Sequence, residues 1–236
     1  MRRKMSLTDR IGYLCVKLYK PFSRGPLNTF LKQEVGRIAP QYPQSGKLRV
    51  LNIGSGGDIY AILKDNVHFQ IDQLDIDPDR KPDIVADASD MNMIADKTYD
   101  YVFAMEVLEH VPTPQAAVDE IYRVLKSGGE FIFSTPFIFP IHDEPHDYYR
   151  YTHYGLRYLL RAFDIRGLSP RNNYLQAITL LLLRTIVIGN KKQRLASAFI
   201  YMSTILTYPL WCLLARIFNS ELATTGYCGV ALKKDS

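Results

Sequence analysis

The chain has 236 residues, 47% of them hydrophobic and 22% charged, a composition that leaves room for one full domain core and excludes a disordered, collagen-like or polytopic membrane protein as a description of the whole. The net charge of +5 is unevenly spread: residues 1–24 hold seven basic side chains and one acidic, residues 25–169 hold 14 and 21, and residues 170–218 hold six and none. An acidic middle segment therefore lies between two basic ones, followed by a balanced tail at 219–236.

The first basic segment, residues 1–24, is predicted to form an amphipathic helix. Its apolar residues fall on one helical face, and they are Leu7, Ile11, Leu14, Cys15 and Leu18. The apolar run is interrupted by Lys17 and lacks a small-residue cleavage site, so we do not expect a secretory signal peptide. The cysteines, Cys15, Cys212 and Cys228, have no paired spacing, which argues against disulfides and a zinc site and favours the cytoplasm.

From Lys47 onward, apolar runs of strand length alternate with helix-length patterns. The predicted strands are Leu48–Ile53, Phe69–Asp75, Ile84–Ala86, Tyr99–Ala104 and Glu130–Thr135. Strands separated by crossover segments predict a doubly wound α/β sheet of parallel strands. A helix is predicted over Pro114–Lys126, ended by Ser127-Gly128-Gly129. Because ligands of such sheets bind beyond the carboxyl ends of the strands, the acidic and glycine-rich turns found there should line one site.

The first strand runs into a glycine-rich turn, Gly54-Ser55-Gly56-Gly57-Asp58. Glycine lets the backbone approach a ligand closely because it has no Cβ atom. A dinucleotide fingerprint would require glycine at position 59, where this chain has Ile59. Asp75 ends the next strand, at a spacing at which a carboxylate can bind ribose hydroxyls. The pattern therefore favours a ribose-bearing ligand over a dinucleotide.

Three further motifs follow: Asp87 within Ala86–Met91, the stretch Met-Glu-Val-Leu-Glu-His-Val at 105–111, and Ile121–Gly129 before the fifth strand. In this order and spacing, residues 45–169 resemble the class I S-adenosylmethionine-dependent methyltransferases, in particular the ubiquinone-type group. The resemblance implies S-adenosyl-L-methionine as cofactor and a Rossmann-like seven-stranded sheet in the order 3-2-1-4-5-7-6, with strand seven antiparallel. Phe163–Leu168 then suits the sixth strand and Gly226–Lys233 the seventh.

The resemblance also implies which residues bind the cofactor. They are Asn52, Gly54, Gly56, Asp58, Asp75, Ile76, Asp87, Ala88, Met105 and Glu106. The two glycines would approach the methionine and ribose parts, the residues at 75 and 87–88 would meet the ribose and adenine, and those at 105–106 would line the sulfonium pocket. Asn52 stands where the family usually has an acidic residue, and Asp58 stands where it has a third glycine. We expect Asp58 to take over part of the binding of the methionine ammonium.

Glu106, Glu109 and His110 form an E-x-x-E-H pattern. In some related methyltransferases such a trio binds a divalent ion beside the substrate hydroxyl, and these ligand types suit Mg²⁺. Acidic residues are also common in the first turn of a helix, where they complement its dipole. We expect no metal here: His110 would pack under the crevice and Glu109 would act as a cap.

The segment after the fifth strand, Pro136–Thr152, is rich in proline, aromatic and ionisable residues. It resembles the H-D-x-Y-R-Y-T segment of methyltransferases from bacterial sugar and cell-surface glycan pathways. Thr152 is predicted to cap the following helix. Methyl transfer to an oxygen needs a base, and the candidate catalytic residues are His142, His146 and Asp143, with Asp147 as a second carboxylate that could orient a histidine. The alternative is a structural lid.

The second basic segment, 170–218, contains two apolar stretches, Tyr174–Ile188 and Phe199–Ala215, with Lys191, Lys192 and Arg194 between them. The second stretch would reach ~26 Å as a helix, short of the ~30 Å hydrocarbon core, and Pro209 would disturb it. We therefore predict a helical hairpin at an anionic membrane surface, peripheral to the cytoplasmic face. The alternative is a dimer interface or an extra core layer. We expect no nucleic-acid partner, because no recognition motif is present.

These patterns predict three parts: a helix at 1–24, a methyltransferase domain at 25–169 and 219–236, and a helical insertion at 170–218. The expected activity is methyl transfer from S-adenosylmethionine to an oxygen of a sugar or lipid-linked glycan. A quinone or lipid precursor is the alternative acceptor, and a non-catalytic membrane-associated binding protein that kept the fold is a third possibility, motivated by Asn52 and Asp58.

Overall fold

A computed structural model describes residues 7–39, 46–55, 58–188, 193–218, 220 and 222–234. At 7–22, 58, 187–188 and 194–195 it describes the backbone alone. The chain forms two compact units. We call Asn28–Pro170 with Gly226–Ser236 the sheet unit, and Met1–Leu27 with Arg171–Thr225 the hairpin unit. The predicted boundaries of the three parts stay predictions.

The sheet unit contains one seven-stranded sheet. Its strands are β1 (Leu48–Ile53), β2 (Phe69–Asp75), β3 (Ile84–Val85), β4 (Tyr99–Met105), β5 (Leu125–Pro136), β6 (Asp164–Pro170) and β7 (Gly226–Leu232). Their order is β3-β2-β1-β4-β5-β7-β6, and β7 is antiparallel to both neighbours, β5 and β6. The predicted fold class, strand order and antiparallel seventh strand are confirmed.

Six α-helices accompany the strands in the part of the chain that the structure describes. They are α1 (Leu7–Ile38), α2 (Asp58–Lys64), α3 (Pro114–Val124), α4 (His153–Leu159), α5 (Tyr174–Ile188) and α6 (Arg194–Ile217). The predicted N-terminal helix is thus present and continues past residue 24, while the side chains of its apolar face lie outside the described residues. The predicted cap of α4 is confirmed, because the Thr152 side chain accepts a hydrogen bond from the Gly155 N–H at 3.0 Å.

The prediction that Ser127-Gly128-Gly129 ends a helix is wrong. The helix ends at Val124, and these residues lie in β5, where the register against β4 shifts between Tyr99 and Tyr101. Gly128 has a φ of +72°, and a Cβ atom on Gly129 would lie 2.9 Å from the Lys126 carbonyl oxygen. The glycines therefore permit the irregular backbone at the start of β5 and do not end a helix.

Lys233 stabilises the end of α3 from across the sheet unit. Lys233 is 4% exposed, and its Nζ donates hydrogen bonds to the carbonyl oxygens of Tyr122 at 2.6 Å and Leu125 at 2.7 Å. These carbonyls are the groups that a helix end leaves without an intrahelical partner. Burial lowers the pKa of this lysine, and its ammonium lies 4.7 Å from the centre of the Tyr122 ring.

In the hairpin unit, Asn173 joins the start of α5 to the end of α6. Its Oδ1 accepts from the Gln176 N–H at 3.1 Å, and its Nδ2 donates to the Ala215 carbonyl at 2.8 Å. The helix α6 runs through Pro209 to Ile217, so it is longer than the uncharged stretch suggested. Among the described residues, Ala196–Ile217 is the one helix long and apolar enough to cross a membrane, by length and composition only.

Candidate active site

A cleft of about 690 Å³ opens at the carboxyl ends of β1, β2 and β4, in the sheet unit. This size is typical of small-molecule sites, which span roughly 300–1,000 Å³. Most of the residues predicted to bind the cofactor or to act in catalysis line it, and these are Gly54, Asp75, Ile76, Asp87, Ala88, Glu106, Asp143 and His146. The topology therefore brings together turns that lie far apart in the sequence.

Other predicted residues do not line the cleft. Met105 is buried in β4, and His142 is not among the lining residues but belongs to a network described below. Gly56 and the side chain of Asp58 lie outside the described residues. Asn52 is fully buried. Its Nδ2 lies 3.5 Å from the Gly54 carbonyl, and its Oδ1 has no hydrogen-bond partner among the residues that the structure describes.

Gly54 makes the turn after β1 possible. Its φ is +84°, a conformation that side chains rarely adopt, and a Cβ atom there would lie 2.9 Å from Cγ2 of Val107. Its N–H donates to the Leu74 carbonyl at 2.8 Å. The glycine therefore holds the β1 turn close to the ends of β2 and β4, where a ligand can contact the backbone.

Asp75 ties the turns after β1 and β2 together. Its carboxylate is 6% exposed and accepts from the backbone N–H groups of Ser55 at 2.8 Å and Asp77 at 3.0 Å. The Ser55 hydroxyl at 3.0 Å and Arg80 at 3.4 Å complete its contacts. A carboxylate has about four acceptor positions. The hydroxyl and the half-exposed Arg80 side chain can rotate away, so Asp75 can offer two positions to ribose hydroxyls without losing its backbone contacts.

The turn after β3 presents Asp87 and Ala88, and a network from α3 holds the loop that follows. Glu120 accepts from the Met91 N–H at 2.7 Å, and Arg123 donates to the Met91 and Ile94 carbonyls at 2.8 and 2.7 Å. Hydrogen bonds from Arg123 lower the pKa of the Glu120 carboxyl. Sequence patterns do not reveal this network, because its partners lie about thirty positions apart.

Two cleft residues other than glycine have left-handed backbone. Glu106 has a φ of +58° and Asp143 a φ of +54°. Ser134 holds Glu106 in place: its carbonyl accepts from the Glu106 N–H at 3.0 Å, and its hydroxyl donates to Glu106 Oε1 at 3.0 Å. Such backbone costs roughly 1–3 kcal/mol per residue and is concentrated at functional sites. Its occurrence at both cleft positions supports a functional role for this cleft.

The segment 142–151, which we call the strap, is hydrogen-bonded to the turn after β4. The N–H groups of Tyr148 and Tyr149 donate to the Glu109 carbonyl at 2.9 and 3.2 Å, and the Tyr151 hydroxyl donates to the Leu108 carbonyl at 2.9 Å. Burial raises the pKa of Tyr151. These bonds fix the strap along one wall of the cleft, whose lining includes Tyr148.

Within the strap, Asp147 orients His142. The Asp147 side chain is 1% exposed, accepts two hydrogen bonds of 2.6 Å from Arg150, and accepts one of 2.8 Å from the His142 N–H. Its Oδ2 lies 3.3 Å from Nδ1 of His142. The hydrogen bonds from Arg150 hold the pKa of Asp147 well below its usual range, while burial lowers the pKa of His142. Of the two candidate carboxylates, Asp143 and Asp147, it is therefore Asp147 that orients the His142 ring.

His110, which the sequence suggested would only pack, is the histidine best placed in the cleft. Its Nδ1 lies 2.6 Å from the His146 carbonyl oxygen, which can only accept, so Nδ1 carries the proton and Nε2 of the neutral ring is a base. That Nε2 lies 3.7 Å from Glu109 Oε1 and 3.9 Å from Asp143 Oδ2. His146 also lines the cleft, with its Nδ1 3.0 Å from the Tyr148 hydroxyl.

The group that could hold a metal ion differs from the E-x-x-E-H trio. Ligand atoms of Glu109, His110 and His142 lie within 4.8 Å of one another, whereas Glu106 is bonded to Ser134. Glu109 is fully buried, and the short helical turn that contains it, Leu108–His110, has no side-chain cap hydrogen bond. The spacing in the sequence identified two of these three residues, and the strap supplies the third.

The strand order, the antiparallel β7, and a cleft formed by a glycine turn after β1 and an acidic turn after β2 define the class I S-adenosylmethionine-dependent methyltransferases. The sheet unit has this architecture, and S-adenosyl-L-methionine is the cofactor of the class. Residues 51–133 match a family model described as "Methyltransferase domain".

Comparison with known proteins agrees with this assignment. A ubiquinone biosynthesis O-methyltransferase of Paracidovorax citrulli is 31% identical over 125 residues, which are 47% of this chain and 52% of that protein. The chain thus spans about half the length of this curated relative. A SAM-dependent methyltransferase from Archaeoglobus fulgidus superposes with a TM-score of 0.53 at 18% identity, covering 87% of this chain and 94% of that one. The [4+2]-cyclase SpnF superposes at 0.55 and 17% identity, covering 87% and 82%. These two structures share the fold.

Proposed function

We propose that this protein transfers a methyl group from S-adenosylmethionine to an oxygen of a sugar or lipid-linked glycan at the cytoplasmic face of a membrane. One observation carries the proposal: a single cleft contains the predicted cofactor residues Asp75 and Asp87 together with two histidines, His110 and His146. Cofactor groups and a proton acceptor are therefore within reach of one bound acceptor molecule.

The cofactor, when bound, supplies an electrophilic methyl group. The protein's part is to position the acceptor and to remove its proton, because an oxygen nucleophile is weak while protonated. His110 is the proposed base: its Nε2 takes the proton, and its Nδ1–H stays on the His146 carbonyl. The carboxylates of Glu109 and Asp143, both within 4 Å of Nε2, then stabilise the imidazolium.

The sugar acceptor is supported by the chemistry of the strap. Tyr148, which lines the cleft and is 45% exposed, offers an aromatic face, and Asp143 and Glu144 line the cleft beside it. Carboxylates form strong hydrogen bonds with hydroxyl groups, and a sugar presents several hydroxyls next to apolar ring faces. A quinone precursor is the alternative, favoured by the match to the ubiquinone enzyme.

The cofactor assignment is tested by calorimetric titration with S-adenosylhomocysteine. We expect the wild type to bind, and Asp75→Ala to bind about 100-fold more weakly, since two charge-assisted hydrogen bonds of about 1.5 kcal/mol each are lost. Asp65→Ala, which removes an exposed carboxylate outside the cleft, is the matched control. Equal binding by both variants would contradict the role of Asp75, and absence of binding by the wild type would favour the non-catalytic alternative.

The acceptor is tested with S-adenosylmethionine tritiated on its methyl group and a membrane fraction as the source of acceptors. Label released into water by mild acid hydrolysis of the lipid fraction supports a lipid-linked glycan, and label that stays with a quinone on chromatography supports the alternative. His110→Gln should reduce the rate at saturating cofactor while leaving S-adenosylhomocysteine binding unchanged. Unchanged rates would exclude His110 as the base.

A further inference from the structure

The exposed face of α6 carries a continuous row of large apolar side chains, which we call the apolar stripe. Its members are Phe199, Met202, Leu206, Leu210, Leu213 and Ile217, each between 54% and 83% exposed. Their spacing of three and four residues places them on one side of a helix. Only 17% of the apolar window that contains the stripe is buried, which distinguishes α6 from the core helix of a soluble protein.

The inner side of α6 has the opposite chemistry. Its buried residues are Ser197, Thr204, Ala215 and the aromatic Tyr201, so that three of the four carry a hydroxyl group, while the aliphatic side chains and Phe199 of the stripe face outward. A helix of a water-soluble protein has the reverse arrangement. The arrangement seen in α6 is found in helices that pack against each other within lipid. There, small and hydroxyl side chains permit close packing between helices, and large apolar side chains face the acyl chains.

Several hydroxyl groups of α5 and α6 are satisfied within their own helices. Five of them donate to carbonyl oxygens of their own helix at 2.7–2.9 Å, and these belong to Thr179, Thr185, Ser203, Thr204 and Thr207. Ser203 and Thr207 do so although they are exposed. Internal satisfaction of polar groups is a condition for any segment that enters the hydrocarbon region.

Charge decides which apolar partner fits the stripe. Residues 170–218 contain six basic residues and no acidic one. In a symmetric dimer through α6, the same patch faces itself, so positive charges would meet positive charges. A bilayer with anionic lipids offers the stripe acyl chains and offers the basic residues counter-charges at headgroup level.

We propose that the apolar stripe of α6 inserts into the acyl-chain region of an anionic bilayer. The helix has 24 residues and reaches ~36 Å, whereas α5 has 15 residues and reaches ~22 Å, shorter than the ~30 Å hydrocarbon core. The two helices enter as a hairpin from one side, because α5 is too short to cross. This proposal does not depend on the methyl acceptor.

The experiment uses the full chain and its single tryptophan, Trp211, which lies in α6. The protein is floated with vesicles of phosphatidylcholine containing phosphatidylglycerol, and Trp211 fluorescence is measured with phosphatidylcholine brominated on its acyl chains. We expect flotation together with quenching. The double variant Leu206→Glu with Leu213→Glu should bind more than about tenfold more weakly, because charges resist entry into hydrocarbon. Val67→Glu, an equally exposed position in the sheet unit, should behave as the wild type.

Each outcome decides for or against insertion. Flotation without quenching by brominated lipid would mean electrostatic adsorption at headgroups and would overturn the proposal. Equal flotation of wild type and double variant would also overturn it. A wild type that does not float but sediments as a dimer, while the double variant sediments as a monomer, would show that the stripe is a dimer interface. S-adenosylhomocysteine binding by the double variant checks that the sheet unit is folded and fails separately from the membrane test.

Discussion

The sheet unit and the hairpin unit bury different kinds of side chain. In β4 and β5 of the sheet unit, the fully buried side chains include the aromatic rings of Phe103, Phe131 and Phe133. On α6 of the hairpin unit, three of the four buried side chains that the structure describes carry a hydroxyl group. The sheet unit also places several ionisable groups at one edge, where they line the cleft. In the hairpin unit, α6 instead turns the large apolar residues of its stripe outward. The two units thus differ in which side chains they bury: aromatic rings in the sheet core, and mainly hydroxyl-bearing side chains on α6. Water favours the first arrangement, and the proposed insertion of α6 into lipid would favour the second.

The largest expected effect tests this comparison directly. Phe131→Ala in the sheet core should lower the free energy of unfolding by about 4 kcal/mol, because a fully buried ring is replaced by a cavity. Leu206→Ala on the exposed side of α6 should change it by about 0.5 kcal/mol or less in water. Urea unfolding followed by circular dichroism measures both. Similar losses in the two variants would mean that the stripe is covered in solution and would break the comparison.

A smaller effect is expected from the buried ion pair of the strap. Asp147→Asn should lower stability at neutral pH by about 3 kcal/mol, because Arg150 is left half-buried without its charge partner. The pKa of Asp147 is depressed in the folded protein, so its contribution is present above the unfolded-state value of about 3.9 and is lost as the pH falls below it. Unfolding measured from neutral pH downward should show a flatter acid limb in Asp147→Asn. Glu144→Gln, an exposed carboxylate in the same strap, should retain the wild-type slope.

The smallest of the three effects concerns Lys233. Lys233→Met should lower the free energy of unfolding by about 2 kcal/mol, since the carbonyls of Tyr122 and Leu125 lose a charged donor in a buried place. Lys234→Met, at the exposed neighbouring position, is the matched control and should be neutral. A neutral result for Lys233→Met would show that water replaces the ammonium and that the end of α3 is less enclosed than its burial indicates.

The sequence predicted those features that depend on neighbouring residues. The bounds of β1, β2 and α5 agree with the prediction, because each follows from a pattern of apolar residues that are close together in the sequence. It also placed the turns of Gly54, Asp75 and Asp87 in one crevice, since parallel strands present their carboxyl ends at the same edge.

Features that depend on distant residues were not predictable in this way. The helix α3 ends at Val124, and the carbonyl of the next residue, Leu125, accepts a hydrogen bond from Lys233, which lies more than a hundred positions further along the chain. The choice of Asp147 over Asp143 as the partner of His142 depends on Arg150 and on the strained backbone of the strap. The protonated nitrogen of His110 is set by a carbonyl of the strap, 36 positions away. Local periodicity carries no information about such contacts.

The place of β7 has a consequence for the order of events during synthesis. Strand β6 pairs only with β7 among the described strands, and β7 is made after α5 and α6. On the ribosome, β6 must therefore wait for its hydrogen-bond partner until the whole hairpin has been translated. If α6 inserts as proposed, the apolar stripe would reach the membrane before the sheet is complete, and anchoring would precede the pairing of β6 with β7.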